Sequence, residues 1–155
     1  MKAYLYNFLA ALRAADRVRA NRLIGDALAE AIAPEQLLDQ VVIASLNALG
    51  EGWEDGSVSL TQVYMGGRIV EEVIESLLPR FGKHPQTWGK IVIGTLGDHH
   101  GLGQRIVGSY LASAGAEVVS LGLGVKPAVF VERAIAEDAD LVAISVLMYH
   151  SALEV

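Results

Sequence analysis

A glycine-rich stretch directly after an apolar run constrains the fold more than any other part of this sequence. Residues 94–103 read Gly-Thr-Leu-Gly-Asp-His-His-Gly-Leu-Gly. They follow residues 90–93, a run typical of a buried strand, and precede residues 104–111, which have helical spacing. The pattern predicts a loop at the carboxyl end of a strand, where open α/β sheets bind their ligands. Glycines in such a loop allow sharp turns and a close approach of the backbone to a ligand.

Three interpretations of this loop remain open on the residues alone. In the first, it is an ordinary strand–helix connection whose polar residues face water. In the second, it holds a phosphate at a helix N-terminus, although the spacing matches neither the Rossmann nor the P-loop fingerprint. In the third, Asp98 holds one ring nitrogen of His100 and leaves the other free for a metal. Because zinc needs three or four protein ligands, a lone histidine suits a metal that brings its other ligands in a macrocycle.

Composition and charge exclude several classes of protein. The 155 residues suffice for one domain or two small ones, and a hydrophobic fraction of 52% is enough for a core. A net charge of −6 argues against a nucleic-acid surface. The absence of cysteine excludes a disulfide framework, the N-terminal residues lack the layout of a signal peptide, and no apolar run reaches the length of a membrane span. We therefore expect a cytoplasmic protein that binds neither nucleic acid nor a membrane.

The first part of the chain, residues 1–80, predicts a small antiparallel bundle of four amphipathic helices. Asp16 is placed to cap the second helix and Pro34 to begin the third. The pair Gly66-Gly67 lies inside the fourth helix and indicates either tight helix packing or close approach to a ligand or to a second domain. The predicted inner residues, helix by helix, are Tyr4, Leu5, Phe8, Leu9 and Leu12; Leu23, Ile24, Ala27 and Leu28; Leu37, Leu38, Val41, Val42, Ser45, Leu46 and Leu49; and Val63, Val70, Val73, Ile74, Leu77 and Leu78.

The rest of the chain predicts a linker and then a parallel α/β domain. The linker is residues 81–89, which contain proline and glycine. Strands alternate with helices after it, which gives a right-handed βαβαβ unit. The predicted strands are residues 90–95, 117–121 and 140–145, and the predicted helices are residues 102–114 and 127–137. The third strand is nearly all apolar, which indicates a central rather than an edge position.

The pattern Asp98-x-His100-x-x-Gly103 resembles the lower-ligand motif of cobalamin-binding domains. That family includes methionine synthase and the corrinoid proteins of methyltransferase systems. The resemblance implies that His100 replaces the cofactor's own dimethylbenzimidazole on cobalt, the base-off/His-on state, and that Asp98 orients it. It also implies that Ser145-x-Leu147 lines a pocket for the displaced nucleotide tail and that the Ser151 hydroxyl hydrogen-bonds Asp98. The implied cofactor-binding residues are Gly97, Asp98, His99, His100, Gly101, Leu102, Gly103, Ser145, Leu147 and Ser151.

The helical part of the chain is similar to the cap that precedes these domains. Trp53 and Leu60 fall on the positions of an aromatic residue and a leucine that cover the upper face of the corrin in methionine synthase. Val63 and Tyr64 follow as further candidate cap residues. The resemblance therefore implies a helical cap followed by a flavodoxin-like α/β domain over residues 90–155, with cobalamin between them.

Four features depart from the family pattern. The connection from Gly94 to Asp98 is one residue shorter than the common methyltransferase pattern, Gly101 stands where Asp is usual, and Gln104 stands where Lys is usual. The sequence also stops at Val155, before the family's last strands and their Gly-Gly motif. Because a strand order of two-one-three would leave the apolar third strand at an edge, we expect the polypeptide to continue for roughly 50–60 residues, the length of two more βα units.

The resemblance implies a corrinoid-binding methyl carrier. In that role cob(I)alamin accepts a methyl group from a substrate:corrinoid methyltransferase, and methylcobalamin gives it to a corrinoid:acceptor methyltransferase, with a reductive activase as a further candidate partner. Such a chain is a carrier subunit rather than a stand-alone enzyme. One alternative is a cobalamin-dependent sensor, although light-sensing relatives carry Glu-His where this chain has Val63-Tyr64. Another is a flavodoxin-like interaction module in which Asp98 and His100 are incidental.

Overall fold

The computed structural model describes residues 1–82, 89–153 and 155. The chain divides into two units, Met1–Phe81 and Gly82–Val155. Most of the predicted linker, with Trp88, lies outside the described residues, so the bounds of that linker stay a prediction. Within the described ranges, no helix is long and apolar enough to cross a membrane.

The first unit is helical throughout, as the apolar spacing predicts. Asp16 caps the second helix, since its side chain accepts a hydrogen bond of 2.9 Å from the Arg19 backbone N–H. The predicted third helix consists of three consecutive helical segments, of which the middle one is π-helical. The backbone angles stay right-handed helical where one segment meets the next, so the helix is continuous. The prediction of four helices in this unit is therefore confirmed. The elements are α1 (Lys2–Arg13), α2 (Arg17–Ala29), α3 (Pro34–Leu37), the π-helical segment (Leu38–Ile43), α4 (Ala44–Glu54), α5 (Leu60–Leu77) and a 3-10 turn (Leu78–Arg80).

The core of this unit explains one of the two helical glycines. Phe8 and Leu12 of α1 and Leu49 of α4 are almost fully buried. A Cβ atom on Gly66 of α5 would lie 2.8 Å from Leu49 Cδ1 and 3.7 Å from Leu12 Cβ, so glycine at this position allows the helices to pack closely. A Cβ on Gly67 would have nothing within 4 Å. Tight packing therefore accounts for Gly66 alone, and close approach to a ligand or second domain stays a prediction for Gly67.

The second unit contains a parallel three-stranded sheet in the order β2-β1-β3. This arrangement confirms the predicted α/β class. β1 lies in the middle, and all its residues except the first are buried. The elements are β1 (Lys90–Leu96), α6 (Leu102–Ser113), β2 (Glu117–Val125), α7 (Pro127–Ala136), β3 (Leu141–Ser145) and α8 (Tyr149–Ala152).

β2 is longer than the sequence predicts, because it continues past Leu121 to Val125. Its register against β1 shifts twice: Ile93 pairs with Ser120, Gly94 with Gly122, and Leu96 with Val125. Each shift adds one residue on the β2 side, as in a β-bulge. Gly122 and Gly124 have φ angles of +81° and +65°, which glycine adopts without a steric penalty. The two glycines follow the predicted end of this strand, but in the structure they belong to its bulged carboxyl end.

β3 is an edge strand in the described sheet, not the central strand that its composition indicates. It pairs with β1 through Leu141 to Ser145, and the described residues provide no partner for its other edge. Leu141, Val142 and Ile144 consequently remain between 36% and 49% exposed. The sequence correctly predicts the strand and its apolar character, but the described sheet leaves it without a neighbour on one side.

Candidate functional site

The loop between β1 and α6 lies at the carboxyl edge of the parallel sheet, as predicted. Its first residue, Gly97, has a φ angle of +66°, which turns the chain away from the strand. The bulged end of β2 holds the loop from one side. The Gly97 N–H donates to the Val125 carbonyl at 3.1 Å, and the Gly124 N–H donates to the Asp98 carbonyl at 2.7 Å. Two strand-like hydrogen bonds to β2 therefore fix the backbone at Gly97 and Asp98.

Asp98 and His100 face each other inside this loop. The His100 backbone N–H donates to Asp98 Oδ1 at 2.7 Å, and His100 Nδ1 lies 3.3 Å from the same oxygen. The second distance is slightly longer than a normal hydrogen bond. The Asp98 side chain is buried, whereas the His100 side chain is 60% exposed. An Asp98 carboxylate in this position favours a proton on Nδ1, which leaves the Nε2 lone pair available to a metal.

The environment of Asp98 favours its ionised form. The hydrogen bond from the His100 backbone N–H is the main cause that lowers the pKa of Asp98 below its ordinary value of 3.8. Burial acts in the opposite direction, and the Leu147 backbone N–H and the His100 ring add to the lowering. The carboxylate is therefore negative at neutral pH and can stabilise a positive charge or a ligated metal at His100.

Ser151 lies beside this pair without forming the hydrogen bond that the resemblance implies. It is 2% exposed, lies within the short helix α8, and its Oγ would lie 3.2 Å from a Cβ on Gly97. Asp98 Oδ2 is buried and accepts no hydrogen bond of normal geometry from the described residues. Among the described residues Asp98 Oδ2 thus lacks a well-formed hydrogen bond, and the buried Ser151 hydroxyl packs against Gly97, the residue before Asp98. A Ser151–Asp98 relay stays a prediction.

A buried chain of polar side chains beneath the loop was missed by the sequence reasoning. The Thr95 hydroxyl donates to Gln104 Oε1 at 3.0 Å, and Gln104 Nε2 donates to Ser120 Oγ at 2.7 Å. Thr95 is fully buried and Gln104 is 5% exposed. These contacts join β1, α6 and β2 directly below the loop. In the sequence, Gln104 stood out only as a departure from the family pattern.

The remaining predicted loop residues lie at the same edge of the sheet. Ser145 ends β3, and its Oγ would be 3.4 Å from a Cβ on Gly103, an ordinary contact distance. Leu147 is 65% exposed, and Leu102 is half-buried at the start of α6. His99 packs against β2, since its Cε1 would lie 3.2 Å from a Cβ on Gly124. The structure thus brings together residues that the resemblance implies, although their roles toward a ligand stay a prediction.

One residue near the loop has no counterpart in the prediction. Leu123 lies between the two bulge glycines of β2, and its Cδ2 would be only 2.6 Å from a Cβ on Gly101. Its side chain is nevertheless 48% exposed. The repeated glycines around Leu123 are the only sequence feature that indicates an unusual position, and they do not identify the residue it contacts.

The predicted cap residues surround one turn of the helical unit. Trp53 lies at the end of α4, and Leu60 and Tyr64 lie in the first turns of α5; they are 53%, 66% and 66% exposed. Val63 is half-buried beside them. A capping box fixes the start of α5, with Ser59 and Gln62 as its two members. The end of α4 and the start of α5 therefore expose large apolar side chains, and the capping box fixes the backbone at the start of α5.

The donor set around the loop fits a single protein ligand. Among the described residues, no group of three or more His, Cys, Asp or Glu side chains could hold a metal ion. A bare zinc or iron site would need such a group. One exposed imidazole backed by a buried carboxylate instead fits a metal whose other positions are filled by a ligand of its own.

Comparison with known proteins gives two family matches and several curated relatives. Two family models, each described as a B12 binding domain, match residues 5–78 and residues 89–155. Trimethylamine corrinoid protein 2 of Methanosarcina acetivorans is 34% identical over 137 residues, which cover 86% of this chain and 63% of the relative. Dimethylamine corrinoid protein 3 of the same organism is 35% identical over 121 residues, covering 76% of this chain and 56% of the relative. The chain thus spans less than two thirds of the length of these relatives.

A solved structure with low sequence identity to this chain has the same fold. The monomethylamine corrinoid protein of Methanosarcina barkeri superposes with a TM-score of 0.85 at 23% identity. The superposition covers 98% of this chain and 73% of that protein. The helical unit followed by a parallel α/β unit is therefore an architecture already observed.

Proposed function

Since the chain belongs to the family of B12-binding proteins, with matches that cover most of its length, we propose that it is a corrinoid-binding methyl carrier. Cobalamin is its cofactor, and it is bound in the base-off/His-on state with His100 as the lower ligand. In this proposal the chain carries a methyl group between partner methyltransferases and performs no substrate chemistry alone.

The Asp98–His100 pair is the observation that supports this proposal most strongly. His100 Nδ1 lies 3.3 Å from Asp98 Oδ1, so Nε2 is the ring nitrogen left for cobalt. Asp98 Oδ2 has no hydrogen-bond partner among the described residues, so the carboxylate can accept a further hydrogen bond when the cofactor is bound. A carboxylate behind a ligating histidine fixes the ring orientation and raises the ligand's basicity. The residues present therefore fit a corrinoid.

The other residues of the site would bind and shield the cofactor. Gly103 and Ser145 lie close together at the sheet edge and would contact the nucleotide tail there. Trp53 and Leu60 provide exposed apolar surface on the helical unit, which would cover the upper corrin face and exclude water from the reacting position. When bound, the corrinoid supplies the cobalt atom that accepts a methyl group and gives it up.

We extend the proposal to the class of partner and substrate. Curated relatives are named for trimethylamine and dimethylamine, so a methylated amine is the substrate class we propose for the partner enzyme. A substrate:corrinoid methyltransferase would methylate the bound cofactor, and a corrinoid:acceptor methyltransferase would remove the methyl group. A reductive activase would restore the reduced cofactor after oxidation.

Cofactor binding is tested by incubation of the purified chain with hydroxocobalamin, followed by gel filtration and a visible spectrum. We expect about one cobalamin per chain to remain bound, with a spectrum of histidine-ligated cobalt. His100→Ala should change the spectrum and weaken binding, because the axial ligand is lost. His150→Ala is the matched control, since His150 is exposed and lies outside the implied binding residues, and it should bind as the wild type does. A wild-type chain that retains no cobalamin contradicts the proposal.

The carrier role needs a separate experiment. The cobalamin-loaded chain is reduced with titanium(III) citrate and mixed with a purified methylamine-dependent methyltransferase and mono-, di- or trimethylamine. We expect one of the amines to methylate the bound cofactor, which is followed by its visible spectrum. A loaded and reducible chain that no amine methylates, with an enzyme that methylates free cobalamin in the same assay, contradicts the methylamine assignment.

A further inference from the structure

The end of β2 presents one apolar side chain beside the His100 loop. Gly122 and Gly124 flank Leu123 with positive φ angles, and the register against β1 shifts on both sides of Gly94. These bulges alter the direction in which the strand projects its side chains. Gly124 is fixed to the loop through its N–H, which donates to the Asp98 carbonyl at 2.7 Å. Leu123 is therefore held next to the loop by its own backbone.

Gly101 provides the space that Leu123 occupies. Gly101 has φ −83° and ψ −1°, a conformation that any residue can adopt. Backbone strain therefore gives no reason for glycine at this position. The reason is steric: a Cβ on Gly101 would lie 2.6 Å from Leu123 Cδ2 and 3.5 Å from Cδ1. Leu123 and Gly101 are complementary in shape, and Gly101 directly follows His100.

Leu123 is more exposed than its contacts require. Its side chain is 48% exposed although one side of it packs on the loop. Leu123 is fixed in place and half exposed to water beside a candidate metal ligand. If an apolar ligand covers this side chain, the burial of its apolar surface stabilises the complex. The corrin ring is an apolar, planar group centred on the metal that His100 would bind.

We propose that Leu123 is a further cofactor-binding residue, which packs against the lower face of the corrin beside His100 and is kept there by the side-chain-free Gly101. This inference rests on the proposed function and adds a contact that the motif residues do not include. Its contact is with the ring and not with the nucleotide tail.

The test uses two corrinoids and a matched pair of leucine variants. Cobinamide has the corrin ring of cobalamin but lacks the nucleotide tail. Leu123→Ala should weaken binding of both hydroxocobalamin and cobinamide by about tenfold, the loss expected from removal of roughly half a buried leucine side chain. Leu141→Ala is the control: Leu141 is 49% exposed but begins β3, at the opposite edge of the sheet. It should bind both corrinoids as the wild type does.

A second pair of variants tests the role of Gly101. Gly101→Ala should weaken the binding of both corrinoids, because the new Cβ displaces Leu123. In the Leu123→Ala background the same change should cost nothing further, because the clash is gone. Thermal unfolding of each apoprotein checks that all variants remain folded. Equal losses from Gly101→Ala in both backgrounds would overturn the proposed contact.

The outcomes separate this inference from the proposed function. A wild-type chain that binds neither corrinoid overturns both. A wild-type chain that binds both, with Leu123→Ala binding as tightly, overturns the Leu123 contact alone. A Leu123→Ala variant that loses affinity for cobalamin but not for cobinamide also overturns it, because the residue would then contact the tail. Parallel losses for both corrinoids, absent in Leu141→Ala, support it.

Discussion

The Asp98 carboxylate connects the local geometry of the loop to its chemistry. Its Oδ1 accepts the His100 backbone N–H and lies near the His100 ring, so one oxygen both shapes the loop and orients the side chain. The same contacts hold the pKa of Asp98 below its ordinary value. Any change in the charge of Asp98 should therefore affect both the stability of the chain and the properties of His100.

Acid unfolding tests the charge of Asp98 in the apoprotein. Because the pKa of Asp98 is lower in the folded than in the unfolded chain, its stabilisation is fully present above pH 3.8 and is lost as the pH falls through the lower folded value. Asp98→Asn should therefore be less stable at pH 6 and should lose less stability on further acidification. Urea unfolding at a series of pH values measures this.

The control for that experiment is Asp39→Asn, which removes one exposed carboxyl from the helical unit. Both variants remove one negative charge, so the control shows how much of the change in stability comes from net charge alone. Parallel stability curves for the wild type and Asp98→Asn below pH 3.8 would show that Asp98 carries no depressed pKa.

The sequence predicts the residues of the loop better than the residues that support it. Asp98 and His100 are two positions apart, so their contact depends on local backbone geometry that a motif preserves. Gln104 meets Ser120 only because α6 packs against β1 and β2. Leu123 reaches Gly101 only because of two register shifts. Contacts of this kind depend on tertiary structure, which periodicity does not specify.

At the scale of elements, two neighbouring glycines in α5 have different causes. Gly66 faces Leu49 and Leu12 at close range, whereas Gly67 faces open space. The sequence alone left both open to packing or to a ligand, because helical spacing does not show which neighbour a residue meets. The structure resolves this for Gly66.

Alanine substitutions should separate the two glycines. Gly67→Ala should raise the free energy of unfolding of the apoprotein by about 0.8–1 kcal/mol, through higher helix propensity. Gly66→Ala gains the same propensity but forces Leu49, which is 1% exposed, out of its position. Overpacking of this kind costs about 1–3 kcal/mol. Urea unfolding should therefore give Gly67→Ala a higher free energy of unfolding than the wild type, and Gly66→Ala a lower one than Gly67→Ala. If Gly66→Ala is the more stable of the two variants, the packing described is contradicted.

The apolar pattern of the sequence predicts the ends of two strands well and the end of the third poorly. β1 and β3 lie within one or two residues of their predicted positions, because each is a continuous apolar run. β2 extends four residues further than predicted, from Leu121 to Val125, because its end contains Gly122 and Gly124. Glycine within a strand usually weakens it, but here the carbonyl and N–H groups of the loop complete the pairing.

At the scale of the whole molecule, the proposed function requires the helical unit to take part in cofactor binding. Trp53 is 53% exposed and lies in the last turn of α4, just before the connection to α5. Cobalamin absorbs light in the range of tryptophan emission, so a tryptophan in contact with it loses most of its fluorescence. The emission of Trp53 therefore reports whether the proposed cap contacts the cofactor.

Titration of a Trp88→Phe variant with hydroxocobalamin isolates this signal, because the sequence contains two tryptophans. We expect strong quenching that saturates at one cobalamin per chain. Leu60→Asp in the same background should weaken binding, since a carboxylate would replace apolar surface beside the corrin. Retained Trp53 emission at saturation, with cobalamin bound by gel filtration, would show that Trp53 does not cover the cofactor.

The central claim is that His100 is the protein ligand of cobalt, and electron paramagnetic resonance tests it most directly. The chain is labelled with nitrogen-15 histidine, loaded with cobalamin and reduced to the Co(II) state. We predict that the triplet splitting from axial nitrogen-14 becomes a doublet on labelling, that His99→Ala keeps the doublet, and that His100→Ala loses it. A triplet that persists in the labelled wild type would show that the cofactor's own base or another nitrogen remains on cobalt, and would contradict the account.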